Sequence, residues 1–137
     1  MLFTRSDQYS FRTFKVIIEI IAYLKEASAI VLPTYHEGMS NVLLEGAAVG
    51  RALIASDISG CREAIVDGVN GFLCKPKDAE SLYMCMKRFV MTTREQREAM
   101  GEASRKLMEE KFDREIVTNI VLNLIDSICQ SRNSRLK

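Results

Sequence analysis

The chain has 137 residues, the length of one modest domain or of a piece of a larger one. Its 19 Lys and Arg balance 18 Asp and Glu, and a near-neutral chain lacks the basic excess that phosphate backbones require of a nucleic-acid partner. With 47% apolar and 27% charged residues, the composition is that of a soluble globular protein with a core to bury.

In chain order, residues 16–27 (VIIEIIAYLKEA) have helix length, although Val16, Ile17 and Ile18 leave a strand open at the front. The apolar run from Val16 to Leu24 contains Glu19 and falls well short of the about 20 residues of a bilayer span. The first residues show no signal-peptide pattern. Ala29 to Leu32 reads as a short buried parallel strand stopped by Pro33, and residues 33–40 (PTYHEGMS) as a loop. Residues 41–49 (NVLLEGAAV) read as a helix with Ser40 at its N-cap and Gly50 at its end. Ala52 to Ala55 is a second strand, residues 61–66 a short helical piece, and Phe72 to Cys74 a third strand. Asp67-Gly68 and Asn70-Gly71 mark the turn before it.

Beyond Pro76 the pattern is helical. Asp78 caps residues 79–91, Thr93 and Gln96 form a capping box for 94–111, and Asp113 caps 114–130. Ile116, Ile120, Leu124 and Ile128 share a face of the last helix. Arg94, Arg97, Arg105 and Lys106 alternate with acids at i,i+4 spacing, a solvated face. Met84, Met86, Met91, Met100 and Met108 are expected at helix interfaces. Cys61, Cys74, Cys85 and Cys129 lack CxxC spacing and are expected to be reduced thiols.

Alternation of strand and helix implies an α/β fold: a partial Rossmann-like parallel sheet of about three strands, helices on both faces, then a helical C-terminus. Continuous apolar strands want neighbours on both edges, so further strands are expected upstream.

The chemistry points to PTYHEGMSNVLLEGA. Ligands of open parallel sheets bind beyond the carboxyl ends of the strands, where this loop lies. Gly38 permits close backbone approach. The amides of Met39, Ser40 and Asn41 open a helix, an anion site by geometry. Glu37 stands before that tip and Glu45 about one turn inside the helix, among apolar neighbours where a carboxylate needs a partner. A diphosphate at the tip would leave one attached sugar near each carboxylate. Competing readings are a solvated Glu37, a Glu45 ion pair across a helix interface, and His36 as an ordinary loop residue. A hydrolase grouping of Ser40, His36 and Glu37 lacks the Gly-x-Ser-x-Gly elbow. Two carboxylates also suit glycoside hydrolysis, but no Trp is present.

The stretch AIVLPTYHEGMSNVLLEGAAVGRALIASD, followed by SGCREAIVDGVNGFLCKPKDAESL, resembles the C-terminal domain of retaining glycosyltransferases of family 4, group 1 glycosyl transferases of the two-domain GT-B fold. The Glu-x7-Glu pair of Glu37 and Glu45 is the family's signature. The resemblance implies that Glu37 is the catalytic residue and contacts donor-sugar hydroxyls. It implies that His36, Gly38, Met39, Ser40, Asn41 and Val42 bind the donor, with the amides of residues 38–41 holding sugar and diphosphate. Glu45 would bond the ribose hydroxyls. No metal and no cofactor is implied; a nucleoside-diphosphate sugar is the donor substrate. A hexosyl unit would pass with retention to a surface polysaccharide or a lipid-linked glycan.

The sequence departs from the family at Ala52 and Ser59, where proline is usual, and no segment matches the family's diphosphate-binding Arg and Lys or its acceptor domain. The expectation is a fragment: residues 1–15 unmatched, 16–112 a partial donor-binding domain, 113–137 a C-terminal helix and polar tail. Expected partners are the nucleotide-sugar and a separate N-terminal half or a second copy through the last helix, with no nucleic acid and no membrane span. The expected location is the cytoplasm, with peripheral inner-membrane attachment in the full-length family context. The alternative is a non-catalytic remnant that acts as a protein-association module.

Overall fold

A computed structural model describes residues 19–134. Residues 1–18 lie outside it, and with them the unmatched segment 1–15 and the strand left open at 16–18. Helix α1 covers 19–26. There follow β1 (Ala29–Leu32), α2 (Asn41–Ala48), β2 (Ala52–Ser56), α3 (Ser59–Arg62), β3 (Gly71–Cys74), α4 (Ala79–Val90), α5 (Arg94–Lys111) and α6 (Arg114–Ser134).

The described strands form one open parallel sheet in the order β1-β2-β3, with Ala29 opposite Ala52 and Leu53 opposite Gly71. All five residues of β2 are buried, which explains its unbroken ALIAS run. Leu53 and Ala55 point to the face where Leu43 and Ala47 of α2 pack, with Cys61, Ile65 and Met108. Ala52 and Ile54 point to the other face, against Phe72, Phe89 of α4 and Met100 of α5. Helix α5 therefore serves both clusters, Met100 in one and Met108 in the other. Each fully buried Leu or Ile contributes roughly 1.5–3 kcal/mol, so the central strand anchors the layers.

Three expectations are corrected. The helix read over 61–66 begins at Ser59 and ends at Arg62. Asn70 reaches back from the turn: its side-chain NH2 donates to the Ala64 carbonyl at 2.9 Å, and its Oδ1 accepts from the Val66 N–H at 2.7 Å. Those bonds satisfy backbone that a longer helix would have used. Of the five methionines, Met100 and Met108 are buried while Met84, Met86 and Met91 are exposed, because α4 turns Leu82, Cys85 and Phe89 to the sheet. Ser40 occupies the N-cap of α2 but its side chain caps nothing.

The other caps form as read. Asp78 accepts from the Ser81 N–H, the Thr93–Gln96 capping box is complete, and Asp113 accepts from the Glu115 N–H. The charged face of α5 holds the i,i+4 pairs Arg94–Glu98, Arg105–Glu109 and Lys106–Glu110. Along α6, Ile120, Leu124 and Ile128 are about 60% exposed. Among the described residues no helix is long and apolar enough to cross a membrane.

Candidate functional site

The loop of residues 33–40 leaves the carboxyl end of β1, beside the loops that leave β2 and β3. The backbone of Glu37 and Gly38 rests on Gly60 of α3. A methyl group on Gly60 would overlap the Gly38 carbonyl and crowd that of Glu37, so only glycine allows this approach. Beside it, the Arg62 guanidinium bonds the Asp57 carboxylate at 2.6 Å and holds its pKa below the ordinary carboxylate value. Asp57 also donates its backbone N–H to the Cys74 carbonyl at 2.7 Å, which ties the β2 and β3 ends together.

The tip of α2 is bare. Its first backbone bond runs from the Leu44 N–H to the Ser40 carbonyl at 3.1 Å. The amides of Asn41, Val42 and Leu43 therefore precede the hydrogen-bond ladder, and no side chain caps them. The first turn contains no acidic residue to oppose an incoming anion. A Cβ on Gly38 would meet nothing within 4 Å, so the space in front of that residue is open.

The structure brings the sequence-predicted residues to this one edge. His36, Glu37, Gly38, Met39, Asn41, Val42 and Glu45 are exposed, and Ser40 is buried beneath them. Glu37 acts electrostatically on the Cys61 thiol in α3; burial first, then the Glu37 charge, raises that thiol's pKa. Glu45 differs from expectation. It has no buried surroundings and no ion pair among the described residues, because α2 buries Leu43, Gly46 and Ala47 and turns Asn41, Val42 and Glu45 outward. A carboxylate in water needs no internal partner, so Glu45 is available to one from outside.

A concavity of about 1040 Å³ lies at the other end of the sheet, where Arg51, Arg97 and Arg105 line it. Arg105 bonds Glu109 and the Ala48 carbonyl, and Arg97 the carbonyls of Val90 and Thr92; Arg51 bonds the Ala27 carbonyl, and its buried Nε has no partner among the described residues. The exposed residues of the β1–α2 edge are the stronger candidate site. Sequence reasoning missed one residue there: Gly60, the seat of the Glu37–Gly38 backbone. A small residue opening a helix beside a strand end is its only local signal.

Comparison with known proteins gives the family and the fold. Residues 6–92 match the family described as Glycosyl transferases group 1; the match starts ahead of the boundary at 16 read from the sequence. A glycogen synthase of Mycobacterium tuberculosis is 35% identical over 95 residues, which cover 69% of this chain and 23% of that protein. The chain thus spans about a quarter of the length of that relative. An N,N'-diacetylbacillosaminyl-diphospho-undecaprenol alpha-1,3-N-acetylgalactosaminyltransferase of Campylobacter jejuni is 39% identical over 64 residues, 47% of this chain and 17% of that protein. In fold, the chain is similar to a sucrose-phosphate synthase of Thermosynechococcus elongatus, with TM-score 0.73 and 24% identity over 80% of this chain and 27% of that one. It is likewise similar to HepE of Anabaena, solved in complex with UDP-glucose, with TM-score 0.72 and 18% identity over 79% of this chain and 30% of that one. The fold is the GT-B type, and the chain belongs to the group 1 glycosyl transferases.

Proposed function

We propose that this chain is the donor-binding part of a retaining glycosyltransferase of family 4, acting on a nucleoside-diphosphate hexose. The observation that supports this most is the uncapped tip of α2, open in front of Gly38 and flanked by the exposed carboxylates of Glu37 and Glu45.

In this reading the amides of residues 38–41 receive the sugar and diphosphate, whose charge the helix terminus favours. Glu45 accepts hydrogen bonds from the ribose hydroxyls, and Glu37 from the donor-sugar hydroxyls at the reacting centre. His36, Met39 and Val42 line the same donor. During transfer the bond from the anomeric carbon to the diphosphate oxygen breaks. A bond to the acceptor hydroxyl forms on the same face, and the hydroxyl proton leaves with the diphosphate. Amides aimed at the diphosphate stabilise the charge that develops on it. The acceptor, a surface polysaccharide or lipid-linked glycan, meets surfaces outside the described residues. In this reading the reaction runs in the cytoplasm, at the inner membrane where the acceptor is lipid-linked.

Calorimetric titration with UDP, GDP and their glucose conjugates tests the proposal. One nucleotide series is expected to bind, and Glu45→Ala is expected to weaken it at least about tenfold, the loss of hydrogen bonds to a charged group. Absence of binding at millimolar ligand, or binding indifferent to Glu45, overturns it. The association-module reading draws on the exposed face of α6; a chain that binds no nucleotide yet self-associates through that face would favour it.

A further inference from the structure

Lys77, in the loop between β3 and α4, is the one non-glycine residue with a positive φ among the described residues, at 60°. L side chains adopt that backbone at a cost that glycine avoids. Local strain of this kind persists where the surroundings over-determine it, often at a ligand site. The surroundings here are not core: Lys77 is exposed and takes part in no ion pair among the described residues. Its Nζ instead lies 5.8 Å from the ring centroid of Tyr35, which is itself 68% exposed.

That contact joins two loops. Tyr35 leaves β1 two residues before Glu37, and Lys77 follows β3; both strands flank β2, so both loops open on the donor edge. Of the other cations at that edge, Arg62 is neutralised by Asp57, and Lys75, at the end of β3, is exposed and has no ring beside it among the described residues. A helix tip offers only about half a positive charge, whereas a diphosphate brings two or more negative ones. An uncompensated ammonium beside the exposed Tyr35 ring supplies what the amides lack, and lysine serves phosphate as a compact point charge.

We propose that Lys77, steered by the Tyr35 ring, is a donor-binding residue that gives its ammonium to the diphosphate. The inference rests on the donor reading above. It asks that strain and binding act in opposite directions. Lys77→Gly is expected to unfold at a temperature no lower than the parent, because the left-handed strain is relieved. The same variant is expected to bind the accepted nucleoside diphosphate about five- to tenfold more weakly, with a shallower salt dependence. Lys77→Arg keeps the charge and the ring contact and should retain most of the affinity. Tyr35→Leu should lose part of it. The parent nucleoside, without phosphate, should bind the parent chain and Lys77→Gly alike.

If the parent chain binds the nucleoside diphosphate and Lys77→Gly binds it equally well, this inference alone is overturned. An equal loss for nucleoside and nucleoside diphosphate would also overturn it, since a loop displacement would then explain both. A parent chain that binds neither, with Glu45→Ala indistinguishable, overturns the donor reading and this inference with it.

Discussion

The α-carbon of Gly60 lies against the carbonyl of Gly38, so closely that a methyl group on Gly60 has no room. Helix α3 is thus the floor on which the Glu37–Gly38 backbone is laid. Gly60→Ala forces backbone, not a yielding side chain, to move, and a loss of about 1–3 kcal/mol in stability is expected. Donor binding should fall with it, because the displaced atoms belong to the loop itself. Gly38→Ala makes the opposite prediction. Its methyl meets no protein atom within 4 Å, so the fold should be within about 0.5 kcal/mol of the parent, while the methyl occupies the space a ligand would fill. Thermal unfolding and calorimetry on both variants check the pair; unimpaired binding by Gly60→Ala would show that the loop position is immaterial.

The buried thiol of Cys61 reports on Glu37. Burial raises its pKa above the ordinary 9.0, and the Glu37 charge adds to the rise. A thiol raised in the folded state stabilises the fold in its protonated form. That contribution is complete below the unfolded thiol pKa and is lost as pH rises through the folded one. Glu37→Gln removes one of the causes, so the Cys61 thiolate should form at lower pH than in the parent. Absorbance of the thiolate in a background of Cys74→Ala, Cys85→Ser and Cys129→Ser, which leaves Cys61 as the one thiol, followed against pH, measures the shift. An unchanged Cys61 titration would mean that the carboxylate of residue 37 is directed elsewhere.

Much of this arrangement is legible in the chain, because the signals are local. Pro33 ends the run of β1, ALIA is apolar on both faces of β2, and Thr93 with Gln96 announces α5. The spacing of Glu37 and Glu45 around a helix start placed both at one edge. What escaped was set by distant partners. The length of α3 depends on Asn70 reaching back to Ala64 and Val66. The exposure of Met84 and Met91 depends on which face α4 turns to β3. Glu45 looked enclosed by Leu43, Leu44 and Gly46, yet in a helix those neighbours lie on other faces.

Asn70 is 1% exposed and joins three segments. Its side chain bonds Ala64 and Val66, and the Ser104 hydroxyl of α5 donates to its carbonyl at 3.3 Å. Asn70→Ala leaves the Val66 N–H and the Ala64 carbonyl without their partners, and a loss of about 2–4 kcal/mol is expected. Asn70→Asp can still accept from Val66 but cannot donate to Ala64, so it should lie between the two. Urea denaturation with an unchanged slope checks both. A loss under about 1 kcal/mol for Asn70→Ala would mean that water replaces the amide.

The bareness of the α2 tip can be tested against two of the helices that cap themselves. Asp78 and Thr93 each accept a backbone N–H of their own helix, from Ser81 and Gln96. Replacing either by alanine should cost about 1 kcal/mol. Ser40 holds the same position in α2 and makes no such bond. Ser40→Ala should therefore cost less than about 0.5 kcal/mol, although Ser40 is only 3% exposed. A saturating nucleoside diphosphate should then raise the unfolding temperature of all three variants, because ligand binding to the folded state adds RT ln(1 + [L]/Kd) whatever the caps elsewhere contribute. Differential unfolding of the three variants, with and without ligand, checks this. Were Ser40→Ala as damaging as Thr93→Ala, the serine hydroxyl would be occupying the amides assigned here to the diphosphate.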